Sequence, residues 1–454
     1  MTDQTRSTAV LPYVWLVLGV AAVYAVSQFG GQELLHRLAE IEDAPTAPVL
    51  ASMGLVALCG FISYYATNGT PIPSFVVAIA LGMAGRPLFA PIIANQLLLA
   101  SLVTGGAAII LFGGGLEMPL RNFLRLLVKI LLLAFPGVIL TAFTLSFVIG
   151  SVTNVAGLAV PGAVVILLGA ILASTDPAAI IPVLQHVKFK KRDTKDIVIA
   201  ESALNDVVGT LVTSAFMKLP LAALTLAGAY QALVSAETYE FLGRQTAFGA
   251  AFGLFGYGML WVLHHIKRRN ELTSGADQIY FLATPVIAFV GAAFFGGSGF
   301  LAAFIAGLIF HAEEHMHAIE HFFYQVTDGV AKPIIFLLVG AMVDPAGLIA
   351  YAPVGIPIAL IFMFVLRPAM VFLTLGVYTL FPNSERGLSV RELLFISFVR
   401  ETGAIPAVLL VTAVASLAPP VTGLIEIGMW VILLTLIIAP PLTPFVARRL
   451  GVAE

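Results

Sequence analysis

Two short stretches concentrate the side chains that can hold a cation, Ser174-Thr175-Asp176-Pro177 and, about thirty residues later, Glu201-Ser202-Ala203-Leu204-Asn205-Asp206. On a helix Glu201 and Asn205 are neighbours at i,i+4, as are Ser202 and Asp206, so two polar stripes run about 100° apart. One stripe can be structural while the other is chemical. Glu201 offers a carboxylate that an arginine from another helix can pair with, and Asn205 can hydrogen-bond such a pair in place. Ser202 and Asp206 then face the segment carrying Thr175 and Asp176, where carboxylate, hydroxyl and freed carbonyl oxygens suit a hard cation. The plainer reading is that these groups only hydrogen-bond between helices. Arg400-Glu401-Thr402 and Arg367 are further ionisable or polar positions inside apolar surroundings. Setting aside Lys332 and Glu426 near segment ends, Arg367 and Arg400 can neutralise only two of Asp176, Glu201, Asp206 and Glu401. At least one carboxylate is left for a proton or a cation.

The elements that must position these groups are membrane helices. The 454 residues are 59% hydrophobic and 11% charged, with a mean hydropathy of +1.01, against roughly 25% charged residues in soluble domains. Apolar stretches of spanning length are read at 11–29, 49–66, 72–90, 96–115, 126–150, 159–185, 195–217, 246–266, 277–295, 299–311, 330–350, 353–381, 390–416 and 421–446, about fourteen in all. Alternating them from a cytoplasmic N-terminus gathers nearly all loop lysines and arginines on one side, including the runs Lys188 to Lys195 and Lys267 to Arg269. The positive-inside rule then makes that side, with both termini, cytoplasmic. Ser27 to Gly31 makes a poor cleavage site, so the first segment reads as a helix and not a signal peptide. Dispersed basic residues and a net charge of -2 give no footprint for nucleic acid. The lone Cys59 reads as packing.

Polar groups and a proline interrupt two of these segments, at Ser174 to Pro177 and at Arg400 to Pro406. In lipid the freed backbone groups must be satisfied by protein, water or an ion, so such breaks survive where they line a cavity. With the first helix counted as an addition, the breaks occupy the same place in two six-helix halves, and paired interruptions in two halves point to a transporter's midplane site.

In these residues the chain resembles the cation/proton antiporter superfamily, specifically the NhaP-type branch that also contains the animal sodium/proton exchangers. The resemblance is carried by Leu111 to Glu117 (Leu-Phe-Gly-Gly-Gly-Leu-Glu), Ser174 to Pro177, Glu201 to Asp206, Phe336 to Gly340 and Gly403-Ala404-Ile405-Pro406, and covers about 50–446. It implies an all-α fold of two inverted six-helix repeats with crossed broken helices and a dimerisation panel. An extra N-terminal helix then occupies 1–48, the antiporter domain 49–446, and a short cytoplasmic tail 447–454. It also implies an ion and proton site of Asp206, Asp176, Ser202 and the Thr175 backbone, supported by Glu201, Asn205 and Arg367. Asn205 stands where electrogenic relatives have a second aspartate, which implies electroneutral exchange of one sodium or potassium ion for one proton. Thr402 stands where the branch usually has an arginine, so the roles of Arg400, Glu401 and Thr402 are open.

Two other classes compete. His311-Ala312-Glu313-Glu314-His315 fits a zinc-hydrolase pattern, with His317 and His321 nearby, but a run this rich in His and Glu matches short patterns easily. A solvated, helical loop is the favoured reading. A cation channel would show a repeated filter sequence, and none is present. The expected protein is therefore a homodimeric cell-membrane antiporter, neither enzyme nor cofactor-dependent, whose partners are a monovalent cation, a proton and the bilayer.

Overall fold

The computed structural model describes residues 11–40, 46–67, 73–175, 184, 187–220, 223–269, 275–311, 316–380, 387–416 and 423–454. The first part of the chain forms α1 (Leu11–Val26), α2 (Gln32–Ala39), α3 (Ala47–Ala66), α4 (Ser74–Ala84), α5 (Arg86–Ala94), α6 (Gln96–Leu116), α7 (Leu120–Leu132), α8 (Val138–Val155) and α9 (Gly162–Ile171). The middle contributes α10 (Arg192–Met217), α11 (Leu226–Leu233), α12 (Ala236–Arg269), α13 (Gly275–Phe294), α14 (Gly299–Ile309), α15 (His317–Val326) and α16 (Lys332–Met342). The chain continues through α17 (Pro345–Ala350), α18 (Ala352–Ile361), α19 (Arg367–Leu375), α20 (Val390–Phe398) and α21 (Ala404–Ser416) to α22 (Leu424–Arg449). Among the described residues nine helices are long and apolar enough to cross a membrane, or ten if a bent pair is one span, and four shorter apolar helices accompany them. The protein is an all-α polytopic membrane protein.

Several helices run through a π-helical turn, and three of these turns have a proline in or just after them. Leu133–Gly137 joins α7 to α8 and contains Pro136; Thr327–Ala331 precedes Pro333; Phe362–Leu366 precedes Pro368. A proline ring clashes with the carbonyl four residues back, and a wide turn relieves that clash without ending the helix. The last of these turns delivers Arg367, 3% exposed, to the interior at the start of α19.

The structure corrects some boundaries. The stretch read as one span at 72–90 is the pair α4 and α5, bent by 88°. Gly85-Arg86-Pro87 supplies the bend, because proline is tolerated in a first turn but does not continue a helix. The span read at 330–350 instead begins at His317 and ends at Met342, and Lys332 neutralises Asp328 one turn away, which lets the polar part stay helical. The helix read at 126–150 extends over Leu120–Val155. The span read at 390–416 is broken where it was read: residues 399–403 leave the helix between α20 and α21.

Two crossings fix the scaffold, and both use motif glycines. A Cβ on Gly82 of α4 would lie 2.0 Å from the Leu337 carbonyl oxygen, and one on Gly340 of α16 would lie 2.3 Å from that of Ile79. Likewise Gly115 of α6 meets the Phe304 oxygen at 2.3 Å and Gly307 of α14 the Phe112 oxygen at 2.1 Å. Backbone thus packs on backbone, the close approach that small residues permit in membranes. In this structure Gly115 and Gly340, both in the signature stretches, serve helix packing. Gly115→Ala or Gly340→Ala is expected to cost about 1–3 kcal/mol by overpacking and to lower the melting temperature in detergent. Gly105→Ala, on α6 with open space around it, is expected to leave that temperature unchanged or raise it. Equal effects at positions 105 and 115 would contradict the packing role.

Candidate ion-binding site

α10 is the centre of the protein: 94% of its apolar window is enclosed by other helices. It also carries Glu201, Ser202, Asn205 and Asp206, none more than 2% exposed. Charged and polar side chains on a helix without lipid contact need partners from the helices around it.

Glu201 has three donors. Arg367 Nη1 donates to Oε1 at 2.9 Å and Nη2 to Oε2 at 2.8 Å, a two-pronged pair, and Asn205 Nδ2 donates to Oε1 as well. A carboxylate held this way is a fixed anion matched by a fixed cation. Asn205 Nδ2 also reaches Thr175 Oγ1 at 3.3 Å, and Thr175 Oγ1 donates to Ser202 Oγ at 3.1 Å. The two stripes of α10, separate by helical geometry, are thereby joined across the unwound chain that follows α9. Gly209 permits the approach: a Cβ there would stand 2.8 Å from that of Ser174. Asp206, fully enclosed, lies one helical turn from Ser202 on the same face. Asp176 lies outside the described residues.

The second break meets the first. Arg400, 2% exposed, donates from Nη2 to the carbonyl oxygens of Leu172 at 3.1 Å and Ala173 at 2.7 Å, and its guanidinium stacks over Phe362, 4.3 Å from the ring centroid. Those carbonyls are where α9 ends, so a positive charge caps the negative end of a half-helix. Glu401 and Thr402 are equally enclosed, and the Thr402 amide donates to Thr435 Oγ1 of α22 at 3.1 Å. The sequence leaves the Arg400 role open because its acceptors are backbone oxygens, which no residue type announces.

Glu117 closes α6 in the signature stretch, and the sequence assigns it no role. Burial pushes its carboxyl up to about 7, with Lys332 pulling the other way. Among the described residues no three His, Cys, Asp or Glu side chains converge as a metal site. Residues 312–315 of the histidine run lie outside them, and His317 and His321 are exposed on α15. Lys267, counted from the sequence among the loop charges, is 1% exposed and pairs with Asp277 at 3.1 Å.

Comparison with known proteins gives the fold and the family. The K(+)/H(+) antiporter NhaP of Alkalimonas amylolytica is 29% identical over 370 residues, 79% of this chain and 59% of that protein. The K(+)/H(+) antiporter NhaP2 of Shewanella baltica (strain OS223) is 27% identical over 372 residues, 81% of this chain and 60% of that one. The chain thus spans about three-fifths of the length of these relatives. Among solved structures, the sodium proton antiporter MjNhaP1 from Methanocaldococcus jannaschii at pH 8 superposes with a TM-score of 0.66 at 22% identity, covering 86% of this chain and 99% of that one. The family model described as sodium/hydrogen exchanger, transmembrane, matches residues 49–449. With 49–449 matched, the chain belongs to the sodium/hydrogen exchanger family.

Proposed function

We propose that the protein exchanges a monovalent cation for a proton across the cell membrane, with Asp206 as the carboxylate that both substrates share. The observation that carries this reading is the division of labour on α10. Glu201 is fixed by Arg367 and Asn205, while Asp206, fully enclosed, shares the helix face of Ser202, whose hydroxyl meets Thr175 of the unwound chain. Asp176 and the Thr175 backbone complete the cation's oxygen shell, and access alternates between the two sides. Potassium is the first cation to test, given the relatives' names, and sodium the second, given the structural neighbour's.

The side bearing the basic loops faces the cytoplasm. Its parts lie together: Arg125 pairs with Asp193, and the Lys190 amide donates to the Val452 carbonyl at 3.0 Å, so the chain's C-terminal residues sit beside the basic run. The working protein is a homodimer.

Asp206→Asn is expected to abolish cation-dependent proton flux in proteoliposomes while the protein still folds, because the amide cannot exchange a proton for a cation. Retained flux would remove Asp206 from the mechanism. Glu201→Ala is expected to act on stability instead, by about 3–5 kcal/mol, since it leaves Arg367 buried without its counter-ion. Combining it with Arg367→Ala should restore part of that loss. Additive losses in thermal stability would mean the two do not depend on each other.

Exchange is electroneutral, one cation for one proton, because Asn205 does not titrate and Glu201 keeps its fixed partner. The membrane potential, about 2.3 kcal/mol per elementary charge per 100 mV, then has nothing to act on. An imposed diffusion potential, carried by an ion the protein does not transport, should leave the end-point of proton movement unchanged. A shift with voltage would mean that a second charge crosses.

A further inference from the structure

Away from the α10 site, a cavity of about 830 Å³ opens where α7 meets the chain just after α19. Arg125, Lys129, Asp193 and Tyr378 line its polar part, and Leu124 and Val128 its apolar wall. Leu124 and Val128 are 57% and 63% exposed on the outer face of a spanning helix, whereas Phe123 and Ile130 of that helix are buried, as is Leu126, which also lines the cavity. The cavity therefore opens toward lipid and not toward the translocation path.

Lys129 is the unusual group in it. The side chain is 6% exposed, yet among the described residues its ammonium makes no hydrogen bond or ion pair and only lies over the Tyr378 ring, 5.2 Å from the centroid. Arg125, at the rim, is partly committed to Asp193. The nearby acid Glu392 accepts from Lys191 at 3.4 Å, from Thr194 at 3.0 Å and from the Ser389 amide at 2.7 Å, so it is not free to serve Lys129. A desolvated ammonium with no carboxylate in contact favours an anion beside it.

We propose that this cavity binds the headgroup of an anionic phospholipid, with Lys129 and Arg125 on the phosphate and the acyl chains lying along Leu124 and Val128. A lipid fits where a free anion does not, for two reasons. At about 830 Å³ the volume lies in the range of organic-ligand pockets, so it admits a whole headgroup with its glycerol and far exceeds an inorganic ion. Leu124 and Val128 give it an apolar wall exposed on the helix's outer face, which rewards an amphiphile. Basic pockets at the membrane boundary recognise anionic headgroups by this combination. The inference is independent of the transport mechanism and needs only that α7 lies in a bilayer.

The test uses Leu124→Trp, a lipid-facing replacement in the full chain, in phosphatidylcholine vesicles containing a few mole per cent of brominated phosphatidylglycerol. Fluorescence quenching, after subtraction of the parent protein's signal, is compared with that from brominated phosphatidylcholine at the same mole fraction. The expected result is enrichment of phosphatidylglycerol at position 124 by about fivefold for each basic residue engaged. Lys129→Gln and Arg125→Gln should each lower the ratio by about that factor, and the double substitution should bring it close to one; the Arg125 variant keeps the test alive should Lys129→Gln fail to fold. Equal quenching by the two lipids, or enrichment that survives both substitutions, would overturn the proposal. Loss of enrichment on adding millimolar inorganic phosphate would assign the cavity to a free anion instead.

Discussion

A backbone carbonyl inside a membrane protein, away from water, must find its donor within the protein, and the site depends on how that demand is met at Leu172 and Ala173. Where α9 stops, its last carbonyls point into the interior and carry the negative end of the helix dipole. Arg400 answers both, with hydrogen bonds at 3.1 and 2.7 Å from a single nitrogen. Because Arg400 itself sits in the second break, each unwound segment depends on the other. Thr175 follows Ala173 by two residues, so its hydroxyl reaches Asn205 and Ser202 only when the crossing is held at this spacing.

The same contact refines the charge count. Counting residues leaves two arginines against several acids and suggests that each arginine cancels one acid. In the structure Arg367 does pair in that way with Glu201, but the described hydrogen bonds of Arg400 go to carbonyls. Its charge balances a dipole more directly than a carboxylate. A guanidinium suits this duty because its donors lie in a fixed fork.

The parts legible in sequence were those with a period or a span length. Helical spacing alone puts Glu201 with Asn205 and Ser202 with Asp206, and the interruption at Arg400 to Gly403 announces a broken span. Hydropathy failed where charge was locally cancelled: Glu320, His321 and Asp328 depress the average, so a window opens at 330 although the helix begins at His317. It also passed over the bend at Gly85, since the residues on either side are equally apolar. The signature glycines Gly115 and Gly340 could be noticed but not interpreted, because a close approach involves a partner helix that spacing does not name. Lys129 stayed invisible for a similar reason. A lysine near the start of a membrane helix reads as a side chain extending to water, and only the packing of Tyr378 over it shows that it does not.

Asn205 ties these observations to the proposed stoichiometry. Its amide nitrogen serves Glu201 and Thr175 at once, so it is needed as a donor on both sides. A carboxylate in its place would have no proton to donate and would face Glu201 Oε1 at hydrogen-bonding distance. Two acceptors there can coexist only if one of them holds a proton. An aspartate at 205 would therefore have to hold the proton itself while it sat beside Glu201, which the Arg367 pair needs ionised. Under the proposed exchange the number of protons carried follows from this set, because an acid in place of Asn205 would add a group that takes up and releases a proton beside the Glu201–Arg367 pair.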